Sequence, residues 1–313
     1  MQSGFACRTR GRYIRDYLII RFSGWECDMA IDKIGKVVVL GTLGAGAHSS
    51  IMHIRREEDG REYALKIVPI EEEEDKKYLE QAKHEFRVGQ MLNHPSLAKV
   101  YCLETESDWR FRVKKVRLLI EYVPGETLNK VKLLKMATLL RVLEKVASGL
   151  VHMHKQGVIH ADLKPNNIVL GKGTNAKVID YGLAWIKGEP KTRVQGTPSY
   201  MAPETAMHKL INERTDIYNF GATMYRLATF KLPPNTVPLT EGMELTEKQF
   251  KSQLKPVQEL NPGAPKAFAD LIHSCLSFQA LKRPERMSEI QGVLDQLAEE
   301  AESQFDESEE EDE

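Results

Sequence analysis

Two short stretches hold the residues best able to do chemistry together. His160-Ala-Asp-Leu-Lys-Pro-Asn-Asn167 is a polar run leading into apolar Ile168-Val-Leu170, and Lys177-Val-Ile179 ends in Asp180-Tyr-Gly182. Asp162 can accept a proton, Lys164 carries a fixed positive charge, and Asn167 and Asp180 offer oxygens suited to a hard cation. Asp, Pro and Asn also favour plain turns. A turn, however, does not explain two short strands that each deliver a cation-liking residue to one place. That layout fits a site for a phosphorylated nucleotide and its metal. His160 fits a base, a ligand or a packing histidine on composition alone.

The elements that must position these residues are readable from pattern. Val37-Val-Val-Leu40 reads as a strand, followed by Gly41-Thr-Leu-Gly-Ala-Gly-Ala-His-Ser-Ser50 and a returning strand, Ile51-Met-His-Ile54. A strand, glycine turn, strand hairpin lets backbone N–H groups approach phosphates closely. Because the chain returns as a strand instead of opening a helix, the dinucleotide-binding pattern is excluded. Tyr63-Ala-Leu-Lys-Ile-Val68 alternates like a strand with Lys66 inside it, where a lysine is ordinarily an edge residue reaching solvent. Residues 71–75 read as a solvated loop. Beyond them Tyr78, Leu79, Ala82, Phe86 and Gly89 recur at helical spacing, and Glu85 lies on that helix 19 residues after Lys66. Residues 117–125 form an apolar strand closed by Pro124-Gly125. Helices are expected over 139–154, from Asp216 through Leu227, and through Ile290, Val293, Leu294 and Leu297, with 231–255 as loop and surface.

These motifs in this order resemble the Hanks-type serine/threonine protein kinases over about residues 35–297. The octet is similar to H-R-D-L-x-x-x-N, Asp180-Tyr-Gly182 to D-F-G, and Gly44-x-Gly46-x-x-Ser49-x-Ile51 to G-x-G-x-x-G-x-V. The resemblance implies an α+β, two-lobed fold: a small, mainly antiparallel β lobe (35–122) with one key helix, and a larger, mainly helical lobe (123–297). It implies ATP as cofactor with Mg²⁺, or Mn²⁺ in its place, held by Asn167 and Asp180. Leu43, Gly44, Ala45, Gly46 and Ser49 would cover the phosphates, and Lys66, paired with Glu85, would contact them. Ile120 would be the gatekeeper, with backbone groups of Glu121 and Val123 on the adenine edge and Ile51, Ala64 and Val169 on its faces. Asp162 would orient the acceptor hydroxyl and take its proton, with Lys164 offsetting charge. His160 would pack under the Asp180 turn, and Arg283 would pair with Glu204 of Ala202-Pro-Glu204. Lys164 and Thr197 point to protein Ser or Thr as acceptor.

Composition agrees with this reading. The 313 residues are 42% hydrophobic and 28% charged, as in globular proteins. A net charge of −1 with ten acids and no base in 298–313 leaves residues 1–297 at +9, without the concentrated basic stripe of a nucleic-acid binder. Four scattered cysteines make no C-x-x-C pair, and no apolar run approaches the ~18–20 residues of a membrane span. The expected setting is cytoplasmic. Residues 1–34 read as an extension with Met29 as a candidate start, and 298–313 as a disordered acidic tail. Two rivals stand beside the enzyme: a pseudokinase-type ATP-binding scaffold, which would have lost Lys66, Asp162, Asn167 or Asp180, and a small-molecule kinase, which would lack the Ala202-Pro-Glu204 segment, Arg283 and the Lys164/Thr197 pair. All are present.

The sequence departs from the pattern at four places. Ser49 takes the third glycine. Tyr181 replaces phenylalanine, adding a hydroxyl that needs a partner. Gly89, one turn beyond Glu85, stands where a larger apolar residue packs against Tyr181; it is expected to leave a gap and a loosely held helix, and so an activating partner there. Ala161 replaces the arginine that pairs with an activation-segment phosphate, a contact of about 1.5–3 kcal/mol. Without that arginine a phosphate on Thr192 is not required. Thr192→Ala is therefore expected to keep turnover within tenfold, and a larger loss in a steady-state assay would refute this.

Overall fold

In the computed structural model the chain divides at Ile31 and Asp32 into two units, and every element named below belongs to the second. The structure describes residues 31, 33–46, 48–190, 195–237 and 245–310, with side chains to 303. Met29 and Thr192 lie outside the described residues.

The first half is a five-stranded antiparallel sheet of order β1-β2-β3-β5-β4 with one helix against it. Its elements are β1 (Val37–Gly46), β2 (Ser49–Arg56), β3 (Glu62–Pro69), α1 (Lys76–Met91), β4 (Val100–Ser107) and β5 (Val113–Glu121). β1 and β2 extend into the glycine run and pair up to Gly46 and Ser49, so the strand pairing runs further than the sequence implied. The register decides which residues share a face, because directly opposed residues in an antiparallel pair point the same way. Gly44 opposes Ile51, Ile51 opposes Lys66, Lys66 opposes Leu118, and Ala64 opposes Ile120. One face thus carries Gly44, Ile51, Ala64, Lys66 and Ile120.

The second half is mainly helical: β6 (Glu126–Thr127), α2 (Met136–Lys155), β7 (Val158–Ile159), β8 (Ile168–Leu170), β9 (Ala176–Val178), β10 (Trp185–Ile186), α3 (Pro203–His208), α4 (Glu213–Thr229), α5 (Glu247–Gln253), α6 (Val257–Leu260), α7 (Lys266–Cys275) and α8 (Met287–Glu310). α4 is buried along most of its length, and its core positions include Asp216, Asn219 and Thr223. A helix buried on all sides must bond its polar side chains internally. Asn219 donates to the Tyr200 carbonyl, and Thr223 to the Asn219 carbonyl. α7 lies so close that a Cβ on Gly221 would come within 2.6 Å of Cys275 Cβ. The buried Arg283 guanidinium holds Glu204 through two bonds of 2.8 Å, the pairing the resemblance implied.

Three expectations need correction. The acidic tail does not begin at 298: α8 continues to Glu310, Ala298 is fully buried, and Arg141 binds Asp295 at 2.6 Å and Glu302 at 2.8 Å. The stretch 231–255 is not all loop. α5 lies within it, capped by Thr246 and Gln249, and buries Phe250. Nor does Gly89 leave a gap. A Cβ there would lie 2.5 Å from Val100 Cγ2 and 2.6 Å from Val100 Cβ, so the space belongs to β4. α1 is packed directly on that strand, and the argument for a stabilising partner at the Glu85 helix falls with the gap.

The two halves meet behind α1. The backbone of 96–98 bonds to Val178 in β9, and the Tyr181 hydroxyl donates to the carbonyls of Ala98 (2.9 Å) and Val178 (3.2 Å). The extra hydroxyl of Tyr181 thus has its partner. Tyr181→Phe should lower unfolding stability by about 1–2 kcal/mol, since it leaves a buried carbonyl without a donor; an unchanged denaturation midpoint would rule the tie out. Gly89→Ala should cost about 1–3 kcal/mol by overpacking. Adding Val100→Ala should recover part of that loss, and strictly additive losses would contradict the contact.

Candidate active site

The polar loop between β7 and β8 is shaped from below by α4. The carboxylate of Asp216, fully buried, accepts the N–H of His160 and of Ala161, each at 2.8 Å, and the ring N–H of His154 at 2.8 Å. Burial works to raise Asp216, but His154 and the loop amide of Ala161 prevail and hold it below the usual carboxylate range. Ala161 sits at φ +63°, a left-handed conformation that an alanine adopts only when the surroundings impose it. The kink turns Asp162 into the cleft. Asp216 is the site residue that sequence reasoning missed: an aspartate at the start of a helix reads as an ordinary first-turn acid.

Asp162 is gripped at both oxygens. Oδ2 accepts from Lys164 Nζ at 2.7 Å, Oδ1 from the Thr197 N–H at 2.8 Å, and Lys164 also donates to Thr197 Oγ1 at 2.6 Å. The Asn167 amide nitrogen donates to the Asp162 carbonyl at 2.9 Å. That leaves the Asn167 amide oxygen for a cation. His160 is 1% exposed and its ring lies edge-on to Tyr181 at 6.3 Å, so it packs beneath the turn and does not face the cleft.

Across the cleft, Lys66 Nζ donates to Glu85 Oε2 at 2.7 Å and to Asp180 Oδ1 at 3.4 Å. Burial alone would lower the Lys66 ammonium, but the two carboxylates outweigh it and hold it above the ordinary lysine range. Asp180 lies at φ +68°, and 48% of its side-chain surface stays open to the cleft. Burial pushes it up, while Lys66 and the Gly182 N–H hold it below the usual range. It is therefore an ionised, accessible carboxylate beside the Asn167 oxygen's loop. The donor set suits a hard cation that also takes phosphate oxygens and water. No cluster of three or more His, Cys, Asp or Glu suited to a metal occurs among the described residues, so an all-protein cage is not what this site offers.

The remaining predicted residues divide by element. Gly44, Ile51, Ala64, Lys66 and Ile120 share one sheet face, and a Cβ on Gly44 would meet nothing within 4 Å, leaving room over that face. Leu43, Ala45, Gly46 and Ser49 continue the hairpin, with Leu43 exposed. The Glu121 N–H is spent on the Lys99 carbonyl at 2.8 Å, and its side chain pairs with Lys177 at 3.0 Å. That N–H is therefore already engaged within the protein. Val123 follows in the link between lobes, and Val169 lies on β8 two residues after Asn167.

Comparison with known proteins agrees with this geometry. A family model described as the protein kinase domain matches residues 37–294. The serine/threonine-protein kinase PrkC of Bacillus subtilis is 25% identical over 76% of this chain and 37% of its own length. A probable serine/threonine-protein kinase of Clostridium acetobutylicum is 28% identical over 76% and 36%, and one of Myxococcus xanthus 28% identical over 83% and 32%. The chain thus spans about a third of the length of these relatives. No helix among the described residues is long and apolar enough to cross a membrane. With a matched domain covering most of its length, the chain belongs to the protein kinase family.

Proposed function

We propose that the chain transfers the γ-phosphoryl group of ATP to Ser and Thr hydroxyls of protein substrates, in a cytoplasmic setting that supplies Mg-ATP. The observation that carries this reading is the two-handed grip on Asp162: Lys164 on one oxygen and the Thr197 N–H on the other. Phosphoryl transfer asks mainly for positioning and charge neutralisation. A carboxylate fixed in this way can orient an acceptor hydroxyl and take its proton as the new O–P bond forms. Lys164, within reach of both Asp162 and Thr197, offsets negative charge on the group in flight.

Lys66, kept charged by Glu85, is aimed at the α- and β-phosphates, and the open space over Gly44 is room for them. The Glu121 carbonyl and the Val123 backbone are suited to the adenine edge, with Ile51, Ala64 and Val169 as its apolar walls and Ile120 behind. Asp180 and Asn167 would hold Mg²⁺, or Mn²⁺, whose charge when bound neutralises the phosphates. A scaffold that had given up catalysis would have no need of the intact Asp162 grip.

The test is transfer of labelled γ-phosphate to the chain itself and to a generic protein substrate. Asp162→Asn should cut transfer by about 10²–10⁴-fold, the usual contribution of a general base. Label on Ser and Thr that disappears in Asp162→Asn supports the enzyme. ATP binding without any transfer in the unsubstituted chain would instead favour a nucleotide-binding scaffold.

A further inference from the structure

The hairpin that joins β4 to β5 ends in a turn that phosphotransfer does not use. The last register pair of β3 is Pro69 with Lys115, whereas β4 and β5 go on pairing to Ser107 and Val113. At about 3.3 Å per residue, Val113 lies about 7 Å past the end of β3, and residues 108–112 lie further out. The turn is closed on itself. The Asp108 N–H donates to the Arg112 carbonyl at 2.9 Å, and the Phe111 N–H to the Asp108 carbonyl at 3.0 Å. The Asp108 carboxylate accepts the N–H groups of Arg110 at 2.8 Å and of Arg112 at 3.0 Å. The result is a braced, convex finger.

Trp109 and Phe111 at its tip leave 80% and 91% of their surface open. Aromatic rings gain more from burial than most side chains, so two bare ones on a single turn point to something that covers them. Phe111 also sits at φ +59°, a left-handed conformation that glycine or asparagine adopts more easily. The backbone accepts strain there to leave a phenyl ring in solvent.

The charge around the rings is positive. Residues 107–114 hold Arg110, Arg112 and Lys114, all exposed, against the one carboxylate of Asp108. Asp108 is occupied by the turn amides, and Arg112 and Lys114 act on it only from a distance. The Arg110 guanidinium lies over the Trp109 ring, 4.3 Å from its centroid, a contact that does not neutralise its charge. Among the described residues none of these three cations forms an ion pair, whereas Lys115 and Arg117, further in, are matched by Glu106 and Glu104 at 3.5 Å each. The acids of 71–75 start at the base of the finger, where the Ile70 N–H meets the Lys114 carbonyl. They stand behind the tip.

We propose that the 108–112 turn docks the chain on an anionic lipid bilayer, with Trp109 and Phe111 in the interfacial layer and Arg110, Arg112 and Lys114 against the headgroups. Exposed rings settle in that layer, and a negative leaflet attracts cations held within a Debye length of it. Shape decides between a bilayer and a protein. A convex finger has no groove of its own, so a protein partner would need a matching cavity, whereas a bilayer yields around it. Single-stranded nucleic acid is bound along an extended cationic groove, which three cations on one turn do not make. The acids behind the tip limit entry to the turn itself, so the contact is shallow and sensitive to salt. The proposal goes beyond the phosphotransfer reading and does not depend on it.

The experiment sediments the full chain with vesicles of phosphatidylcholine alone or mixed equally with phosphatidylglycerol, at low and at physiological salt. The mixed vesicles should bind at least tenfold more strongly than the neutral ones, and added salt should weaken the difference. Trp109→Ala with Phe111→Ala should lower the partition coefficient about tenfold or more, and Arg110→Gln with Arg112→Gln about fivefold per cation removed. All four side chains are exposed, so the denaturation midpoint should not move. Acyl chains carrying bromine should quench tryptophan emission in the unsubstituted chain and quench it less in Trp109→Phe. Equal binding to both kinds of vesicle, binding that the four substitutions leave unchanged, or no binding at millimolar lipid would each overturn the proposal. Tip-dependent binding to a single-stranded oligonucleotide without vesicle binding would overturn it in favour of nucleic acid. Phosphotransfer to a soluble peptide should be the same in the tip variants, so failure of the docking proposal and failure of the kinase reading are separate results.

Discussion

The carboxylate of Asp216 is the constraint on which the loop carrying Asp162 depends. Placing it in the core is costly, by several kcal/mol for an uncompensated ion. Three donors offset that cost, two of them backbone N–H groups of the loop itself. Charge-assisted bonds of this kind contribute about 1.5–3 kcal/mol each, enough to hold Ala161 in a conformation that costs about 1–3 kcal/mol. The order of cause runs outward. α4 is buried on all sides, so Asp216 cannot move; the loop amides follow it; and Asp162 is delivered to Lys164 and Thr197 as a result.

A second set of ionic contacts spans the cleft. Lys66 touches Glu85 on α1 and Asp180 on the far lobe. The same ammonium thus reports whether the helix and the turn are both in place. The Tyr181 hydroxyl reinforces the arrangement from behind, because it ties the residue next to Asp180 to the backbone beside β4. Val100 does so from the side, by filling the space that Gly89 vacates. The helix position is therefore set by packing and by charge together.

The grouping of the candidate site residues was legible in the sequence because they are local. Asp162, Lys164 and Asn167 lie within one octet, and the 19-residue separation of Lys66 and Glu85 is a strand followed by a helix. What escaped was non-local. Arg141 finds Glu302 161 residues away, and that pairing converts an apparent acidic tail into a continuation of α8. Val100 explains Gly89 only once β4 is laid against α1. Asp216 looks like a helix start until its burial is known. α5 is a different case: seven residues are too few to display a helical period, although Thr246-x-x-Gln249 is a capping signature in plain view.

The missing arginine at Ala161 is the departure with the widest structural consequence. The segment after Gly182 must still be held against α1, and two contacts from α1 itself do so. His84 donates to the Ala184 carbonyl at 2.7 Å, and Arg87 binds Glu189 at 2.6 Å. The second is half-exposed and contributes at most about 1 kcal/mol. The first is partly buried and its ring orientation is fixed, since the other ring nitrogen faces Arg87 at 3.2 Å. Both anchors sit on the helix that carries Glu85. In this chain the segment that presents Thr197 to Asp162 and the helix that presents Glu85 to Lys66 are consequently coupled through α1 itself.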